Sequence, residues 1–369
     1  MKIFLTVAGF FLLNPGFLYS QNQIVSTRLT DVSGKLPQEQ AELIYKTLKI
    51  YPCGTQAAFS FIKNGEISYW GATRKNDTVF YIDNCHNVFE TGSITKVFTS
   101  TLLAHLVLNG NVNPDDKISN YIESVSDSVT ISFKQLANHT SGLPRMPSNF
   151  SEAVPFSPAN PYKNYNKKML NAYLSEDLNL MYEPGTKMEY SNLGAGLLGY
   201  ILTEIAGSDY QELLRAHILS KYNMASTATN REEVIQKLVP GLSASGEKAP
   251  NWDFSALVGA GGILSSVKDL SKFALAQFND SNKELALTRE KTFEAGENLD
   301  LGMGWHIIRT KTGDEWFWHN GGTGGYTSSM ALDIRKKNGI IILSNVSAFH
   351  PDSNKIDELC FLLLKALGE

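Results

Sequence analysis

The 369-residue sequence lacks several features that would mark other classes of protein. It has only three cysteines, which excludes the small disulfide-dense scaffolds. Its net charge of −4 and scattered basic residues form no basic stripe, so nucleic acid is not an expected partner. The seven histidines are dispersed without an H-x-x-x-H pair, so no metal is expected. With 43% apolar residues the chain can bury a large core, and a small-molecule or peptide substrate is the default partner.

An apolar run stands at the N-terminus, where Met1 and Lys2 precede residues 3–13. This run is too short to span a bilayer and polar residues follow it, so residues 1–20 are predicted to be a signal peptide with cleavage near Ser20. No later stretch reaches the roughly 18 residues that a membrane-spanning helix needs. We therefore expect an exported protein, periplasmic or secreted, without a transmembrane segment after signal removal.

Export would place the cysteines where disulfides are permitted. Cys53 and Cys85 could pair, which would stabilise the fold by about 3 to 4 kcal/mol on chain-entropy grounds. Two unpaired thiols are the alternative, and the sequence leaves both open. Cys360 stands in an apolar helical run and is expected in the core.

Strand patterns stand at both ends of the chain, with helical patterns and long loops between them. Six runs predict strands: residues 55–62, 67–72, 304–308, 316–319, 328–334 and 339–344. Two apolar runs, residues 97–108 and 358–367, predict helices. This order predicts an α+β fold, with one antiparallel sheet built from both chain ends, flanked by helices and interrupted by a large, mainly helical insertion. Residues 21–369 are expected to form a single catalytic domain, whose sheet subdomain spans about 21–115 plus 300–369 and whose helical subdomain spans about 116–299.

The first chemical signal lies directly before the helix predicted at 97–108. If that helix begins near Ser93, the side chains of Ser93 and Lys96 lie one turn apart on the same face. A serine hydroxyl needs a base to act as a nucleophile at neutral pH, and a lysine can serve when burial and nearby positive potential lower its pKa. The helix N-terminus adds N–H groups where an anionic intermediate would form.

The Ser-x-x-Lys spacing alone is weak, because it occurs four times, at Ser60, Ser93, Ser245 and Ser265. Ser60 falls within a predicted strand, where the lysine three positions later points to the opposite face. Ser245 lies in a polar loop. Ser265 precedes a helix, but its neighbour Ser266 is explained as a helix cap. Context therefore favours Ser93.

A second element is Tyr190 with Asn192. In an extended segment, residues two apart face the same side, so this phenol and amide could enter one pocket. The same Tyr-x-Asn form occurs at residues 162–164, and a phenol that merely packs in a loop is the structural alternative.

A third element runs from His319 through Asn320 into four glycines within five positions, counted from Gly321. Because glycine weakens strand interiors, these glycines indicate that a ligand or another backbone comes close. A glycine-rich hairpin turn is the alternative. The spacing does not fit a phosphate-binding loop.

The three elements, in this order, resemble the serine β-lactamase and D,D-peptidase superfamily, on the branch with class C β-lactamases, D-aminopeptidases and family VIII esterases. The resemblance covers roughly residues 55–347, with further similar stretches at 89–93, 136–144, 259–263 and 302–305. It implies an exported serine hydrolase that attacks an amide, β-lactam or ester bond through an acyl-enzyme, without metal or organic cofactor.

Carried over by position, the resemblance implies that Ser93 is the nucleophile and Lys96 its proton partner. Tyr190, with a phenol pKa lowered by Lys96, would protonate the leaving group and later activate the deacylating water. Asn192 would orient the substrate amide or Lys96. The N–H groups of Ser93 and Gly322 would form the oxyanion hole.

The sequence departs from β-lactamases at one position: His319, Asn320 and Gly321 stand where those enzymes carry Lys-Thr-Gly. We expect the imidazole to be charged only in part near neutral pH, which weakens it as a partner for a substrate carboxylate. The substrate therefore stays open among a D-amino-acid peptide, a β-lactam and an ester, and it could derive from cell wall. The alternative function is a penicillin- or cell-wall-peptide-binding sensor that is acylated, or binds, without efficient turnover. His139 is assigned a structural role, because no G-x-S-x-G elbow supports a Ser-His-Asp triad.

Overall fold

The computed structural model describes residues 36–368. The predicted signal peptide, residues 1–20, lies outside the described residues. Among the described helices, none combines the length and the apolar character needed to cross a membrane.

Strands from both halves of the described chain make one large sheet. The strands are β1 (Gln56–Lys63), β2 (Glu66–Lys75), β3 (Thr78–Tyr81), β4 (Phe89–Glu90), β5 (Leu264–Ser265), β6 (Phe293–Gly296), β7 (Leu299–Leu301), β8 (His306–Arg309), β9 (Glu315–Gly322), β10 (Thr327–Asp333) and β11 (Asn338–Ser344). The sheet has the order β3-β2-β1-β11-β10-β9-β8-β7-β6 and is antiparallel throughout, while β4 pairs with β5 separately. Pairing of β1 with β11 joins the early strands to the late ones.

Helices cover both faces of this sheet. The α-helices are α1 (Gln38–Leu48), α2 (Thr95–Leu108), α3 (Phe133–Ala137), α4 (Lys167–Ala172), α5 (Asn192–Ala206), α6 (Tyr210–Leu214), α7 (Val267–Gln277), α8 (Lys283–Arg289) and α9 (Lys355–Gly368). Short 3-10 turns occur at Gly92–Ile94, Ile118–Asn120, Phe150–Glu152, Arg231–Glu233, Ile235–Lys237 and Val258–Ala260. Two π-helical turns, Tyr173–Asp177 and Arg215–Leu219, continue α4 and α6.

Alternation along the central strands explains the two-sided burial of the sheet. Successive side chains of a strand point to opposite faces. Phe59 and Ile342 therefore pack with α1 and α9, whereas their neighbours Ala58 and Ile341 pack into the larger core shared with α2 and α5. Both faces of the sheet are buried, which fixes its register.

Helix α2 runs through the larger core, is mainly apolar and has no distinct polar face, as expected of a helix buried on most sides. Most of its 14 residues are buried, from Thr95 at its start to Leu106 near its end. Residues in its first turn are therefore held rigidly. This rigidity positions the site described below.

The predicted α+β class, with a sheet built from both chain ends, is confirmed by this architecture. The six predicted strands correspond to β1, β2, β8, β9, β10 and β11. The sequence pattern predicts neither α1 nor the short strands β3, β6 and β7. The predicted strand at 304–308 begins two residues too early, since β8 starts at His306.

The three cysteines are all free thiols in the structure. Cys53 is exposed, whereas Cys85 and Cys360 are buried. Cys360 lies in the core, as expected. Between the two alternatives for Cys53 and Cys85, the structure shows the unpaired one.

Candidate active site

Ser93 lies in the 3-10 turn Gly92–Ile94, immediately before α2. Upstream of this turn, Phe89 and Glu90 form strand β4. The next residue, Thr91, donates two hydrogen bonds to the Ile263 carbonyl, from its N–H at 2.9 Å and from its hydroxyl at 2.8 Å. Ser93 itself is half-buried. The predicted helix start near Ser93 is thus confirmed, and the hydroxyl is presented from a rigid turn.

The glycines of β9 lie directly against this turn. Gly92 has φ 52°, a left-handed conformation that favours glycine, and a Cβ added to it would lie 2.5 Å from the Gly322 nitrogen. A Cβ added to Gly321 would lie 2.8 Å from the Ser93 nitrogen and would also collide with the Thr91 carbonyl oxygen. The expectation that a backbone comes close to these glycines is therefore confirmed. The approach brings the backbone of Ser93 and that of Gly322 side by side, the arrangement that an oxyanion hole requires.

Lys96 makes three hydrogen-bond contacts through Nζ, to Ser93 Oγ at 2.9 Å, Asn192 Oδ1 at 2.9 Å and the Ala260 carbonyl at 2.7 Å. The side chain is 2% exposed, and no carboxylate lies among these contacts. Burial, and then the positive charge of Arg145, holds the Lys96 pKa well below its usual value. The sequence expectation of a depressed lysine pKa is confirmed.

The three oxygens around Lys96 Nζ could each accept from an ammonium, and it is the low pKa of Lys96 that selects the neutral amine. A neutral amine has two N–H donors and one lone pair, whereas an ammonium has three donors and no acceptor. The Asn192 and Ala260 oxygens can only accept, so they take the two N–H groups. The lone pair is then left for the Ser93 hydroxyl, which is the geometry of a base beside its nucleophile.

Asn192 is the first residue of α5, and its neighbour Ser191 caps that helix by accepting from the Gly194 N–H at 2.8 Å. The predicted extended segment therefore ends at Ser191. Asn192 Oδ1 accepts from Lys96, and its Nδ2 donates to the Tyr162 hydroxyl at 3.0 Å. Tyr162, which belongs to the second Tyr-x-Asn sequence, thus takes part in the site rather than competing with it.

Tyr190 lies beside Ser93 and Lys96, with Lys96 Nζ 4.9 Å from the centre of the phenol ring. The imidazole of His139 lies against the Tyr190 ring at a centroid distance of 4.3 Å, with the two ring planes tilted by 33°. Burial raises the pKa of Tyr190 to about 12, although the Ser93 hydroxyl acts in the opposite direction. The sequence expectation of a phenol pKa lowered by Lys96 is therefore wrong, because burial outweighs the neighbouring groups and Lys96 carries no charge to lower it.

His319 is 1% exposed and lies next to Tyr190, with ring centroids 6.4 Å apart. Burial holds the pKa of His319 well below its usual value. The expectation of a partly charged imidazole near neutral pH is therefore wrong. Nδ1 lies 2.6 Å from the Asn320 carbonyl, so it carries the proton, and Nε2 has no hydrogen-bond partner among residues 36–368. His319 thus offers neither a cation nor an exposed surface to a substrate.

Two further imidazoles, His139 and His306, are buried near His319, and burial lowers both of their pKa values. His139 has φ 61° and accepts from the Ser191 N–H at 3.2 Å through Nδ1. This bond ties the loop after α3 to the start of α5, which agrees with a structural role for His139. The sequence pattern did not single out His306.

Arg145 was missed by sequence reasoning. Its guanidinium carbon lies 5.2 Å from the centre of the Tyr190 ring, and its backbone carbonyl accepts from the N–H groups of Asn192 and Leu193, both at 3.1 Å. The charge of Arg145 contributes to the low pKa of Lys96 and His139. No short motif marks it, because its importance depends on the packing of the 144–147 segment against α5.

An aromatic wall borders the site on the Asn192 side. We use this name for Tyr162, Trp252, Phe254 and Phe349. Tyr162 stacks on Phe254 at 4.3 Å, and Trp252 lies 6.3 Å from Phe349, which is 62% exposed. The wall gives the cleft an apolar side close to the glycine run that continues past β9, where a Cβ on Gly324 would lie 2.8 Å from Trp252 Nε1.

The rival Ser-x-x-Lys serines lie elsewhere. Ser60 is buried within β1. Ser265 is buried and bonded to the Thr227 hydroxyl at 2.7 Å, while its neighbour Ser266 caps α7. Ser245 is exposed and bonded to the Ser243 hydroxyl at 2.9 Å.

Comparison with known proteins agrees with this geometry. The sequence pattern of the family described as Beta-lactamase matches residues 57–364, which is most of the chain. The chain belongs to the beta-lactamase family. A curated relative, Beta-lactamase-like protein 4 of Dictyostelium discoideum, is 29% identical over 321 residues, covering 77% of this chain and 55% of that protein. This chain therefore spans about half the length of that relative.

Two solved structures share the fold of this beta-lactamase family member. The beta-lactamase/D-alanine carboxypeptidase of Pseudomonas syringae has a TM-score of 0.73 at 20% identity, covering 89% of this chain and 97% of the other. The beta-lactamase/D-alanine carboxypeptidase of Yersinia pestis, complexed with citrate, has a TM-score of 0.69 at 24% identity, covering 89% and 99%. At these identities the likeness shows the fold.

Proposed function

We propose that this beta-lactamase family member is a serine hydrolase that forms an acyl-enzyme at Ser93 and then hydrolyses it. The observation that carries the proposal is the contact of 2.9 Å between Ser93 Oγ and Lys96 Nζ, an amine whose pKa is held well below its usual value. A serine hydroxyl paired with a neutral base is an activated nucleophile. The bond attacked is an amide, a β-lactam or an ester.

In the acylation step, one bond forms at the substrate carbonyl carbon and one bond to the leaving group breaks. The Ser93 oxygen bonds to the substrate carbonyl carbon while its proton passes to the Lys96 amine. The oxyanion lies at the N–H groups of Ser93 and Gly322, each of which would contribute about 3 kcal/mol to the transition state. When the tetrahedral intermediate collapses, the bond to the leaving group breaks and the leaving group takes a proton.

Tyr190 supports a revised route for that proton. With a pKa of about 12, its phenol is protonated at neutral pH and can act as an acid toward the leaving group. The Lys96 ammonium then returns a proton to the phenol, so both groups regain their starting states. In deacylation the neutral Lys96 amine, relayed by Tyr190, takes a proton from the water whose oxygen bonds to the acyl carbon. The bond from that carbon to Ser93 Oγ then breaks, the proton passes to Ser93 Oγ, and the acid product leaves.

Intact-mass spectrometry tests this proposal directly. Purified protein is mixed with an activated ester and with a penicillin, and the mass is followed with time. We expect an added acyl mass on the native protein, none on Ser93→Ala, and native behaviour of Ser245→Ala, which removes an exposed serine of the same Ser-x-x-Lys spacing. Turnover of the ester by Ser93→Ala at the native rate would contradict the proposal.

The lifetime of the adduct separates hydrolase from sensor. The sensor is supported by one observation: a neutral imidazole, His319, stands where β-lactamases carry a lysine, so the site lacks a cation that those enzymes have. Rapid recovery of unmodified protein supports the hydrolase. An adduct that persists for hours with every acyl donor would support a penicillin- or cell-wall-peptide-binding sensor instead.

We also propose that the protein is exported, on the basis of residues 1–20. Expression of the full chain with its own N-terminus, followed by fractionation and N-terminal mass analysis, tests this. Mature protein outside the cytoplasm that begins near Gln21 supports export, and an intact N-terminus in the cytoplasm contradicts it.

A further inference from the structure

The cleft holds one cationic group that the proposed mechanism does not use. Arg145 is exposed, and none of the ion pairs within residues 36–368 includes it. The basic side chains around it are held neutral by burial: Lys96, His139 and His319. A guanidinium that lies over the Tyr190 ring and has no carboxylate partner among residues 36–368 is available to an anionic ligand.

The backbone of Arg145 is held rigidly, which matters for recognition. Its carbonyl accepts from two N–H groups at the start of α5. The preceding Pro144 carbonyl accepts from the Ser191 hydroxyl at 2.7 Å, so the N-cap of α5 is tied to the same segment. Prolines at 144 and 147 further restrict the chain. A charged side chain on a fixed backbone loses little freedom when it binds a partner.

Its position defines the part of a substrate that it reaches. The guanidinium lies 5.2 Å from the Tyr190 ring, and the Tyr190 hydroxyl interacts with Ser93. In the proposed mechanism Tyr190 protonates the leaving group. A group bound by Arg145 therefore belongs to the leaving-group side and lies within a few bonds of the bond that breaks.

Position 319 does not compete for this role. His319 is 1% exposed, is hydrogen-bonded through Nδ1 to a carbonyl, and keeps an unprotonated Nε2. An unprotonated nitrogen repels the lone pairs of a carboxylate. His319 is therefore not a suitable partner for a carboxylate on a substrate.

We propose that Arg145 is a specificity-determining residue that binds a carboxylate on the leaving-group side of the substrate, so that this chain prefers acyl donors whose leaving group is an anion. Guanidinium and carboxylate pair through two parallel N–H···O bonds, a geometry that a lysine cannot reproduce. The inference rests on the proposed function, because it assumes acyl transfer at Ser93. The substrate class is an amide or ester with a free carboxylate near the scissile bond.

A matched pair of esters tests the inference. The phenyl ester and the 3-carboxyphenyl ester of phenylacetic acid share one acyl group and differ by one carboxylate. The measured quantity is the ratio of kcat/KM for the charged ester to kcat/KM for the neutral one. Any change in the Lys96 pKa affects both esters equally and cancels in this ratio.

We expect the native protein to prefer the charged ester, and Arg145→Gln to lower the ratio at least about ten-fold. Arg145→Lys should recover part of the ratio, and added salt should lower the native ratio. Lys187→Gln is the matched control, because Lys187 is an exposed cation of the neighbouring loop, paired with Glu189 at 3.7 Å, and its loss should not change the ratio. Circular dichroism and melting temperature check that each variant is folded.

An unchanged ratio in Arg145→Gln, with both esters still turned over, would overturn the role of Arg145 and leave the proposed function intact. An equal loss of ratio in Lys187→Gln would also overturn it, because the effect would then be one of net charge. A native protein that acylates Ser93 with neither ester would overturn both proposals.

Discussion

Gly321→Ala should strongly reduce activity while leaving the protein folded. Gly321 lies in β9 against the turn that carries Ser93. An added Cβ would lie 2.8 Å from the Ser93 nitrogen and 2.7 Å from Ser328 Oγ, with the Thr91 carbonyl oxygen nearer still. Ordinary contacts between heavy atoms are about 3.5 Å, so β9 and the Ser93 turn must separate by about 0.7 Å or more.

The separation falls on the two N–H groups proposed for the oxyanion hole. A displacement of about 1 Å in a catalytic group can cost about 100-fold in rate, and loss of one oxyanion donor costs about 3 kcal/mol. We therefore expect the acylation rate of Gly321→Ala to fall by about 100-fold. The hydrogen bond between Lys96 and Ser93 should survive, since it joins the first turn of α2 to the 3-10 turn immediately before it.

Stopped-flow release of p-nitrophenol from p-nitrophenyl acetate measures this acylation rate. Gly296→Ala is the matched control, because a Cβ there meets nothing within 4 Å and Gly296 lies in β6 of the same sheet. It should acylate at the native rate. If Gly321→Ala melts cooperatively and still acylates within three-fold of the native rate, the proposed oxyanion hole is wrong.

Three other predictions concern the protonation of Lys96, the burial of Glu90 and the free thiols of Cys53 and Cys85. The acid limb of the pH profile of kcat/KM for a neutral ester should have its midpoint well below pH 10.5, because Lys96 must lose its proton to act. This midpoint should move to higher pH in Arg145→Gln, because the variant lacks a charge that lowers the Lys96 pKa. A midpoint near 10.5 in the native protein would contradict this. Glu90→Gln should raise the free energy of unfolding at pH 8 by about 3 kcal/mol, measured by urea unfolding, because burial raises the Glu90 pKa from 4.5 to about 7. Glu90 is protonated in both the folded and the unfolded protein below pH 4.5, and between pH 4.5 and 7 only the unfolded protein loses the proton, which lowers the free energy of unfolding of the native protein. The extra stability of Glu90→Gln should therefore vanish near pH 4.5. Equal extra stability at both pH values would show that ionisation of Glu90 is not its cause. A reducing agent should leave the melting temperature unchanged, because Cys53 and Cys85 are free thiols; a fall of several degrees would reveal a disulfide.

Local sequence signals were sufficient to predict much of the fold. Apolar runs bounded by turn residues, such as β1 and β11, and the longer run of helix α2 are long enough to be recognised in the sequence. Strands of three or four residues, such as β3 and β7, are too short to show a period. They exist because longer neighbours offer free edges to pair with.

The candidate site was predictable where residues are close in sequence. Ser93 and Lys96 share one helical turn, so their contact follows from spacing alone. The shared site of Asn192 and Tyr162 required tertiary packing, and so did the position of Arg145.

The low pKa of Lys96 was expected from the sequence, whereas the ionisation states of Tyr190 and His319 could not be read from it. A phenol near a lysine suggests a low pKa, and a histidine suggests partial charge at neutral pH. Burial decides both cases in the other direction, for Tyr190 and for His319. Burial depends on the whole fold around the cleft.

The central claim is that Lys96 is a neutral amine in contact with Ser93. Carbon-13 labelling of the lysine ε carbons, with Lys96 assigned by comparison with Lys96→Arg, allows its titration to be followed by NMR. The account predicts a Lys96 resonance at the neutral-amine position at pH 8, with a midpoint well below 10.5. A resonance at the ammonium position at pH 8 that titrates near 10.5 would contradict it.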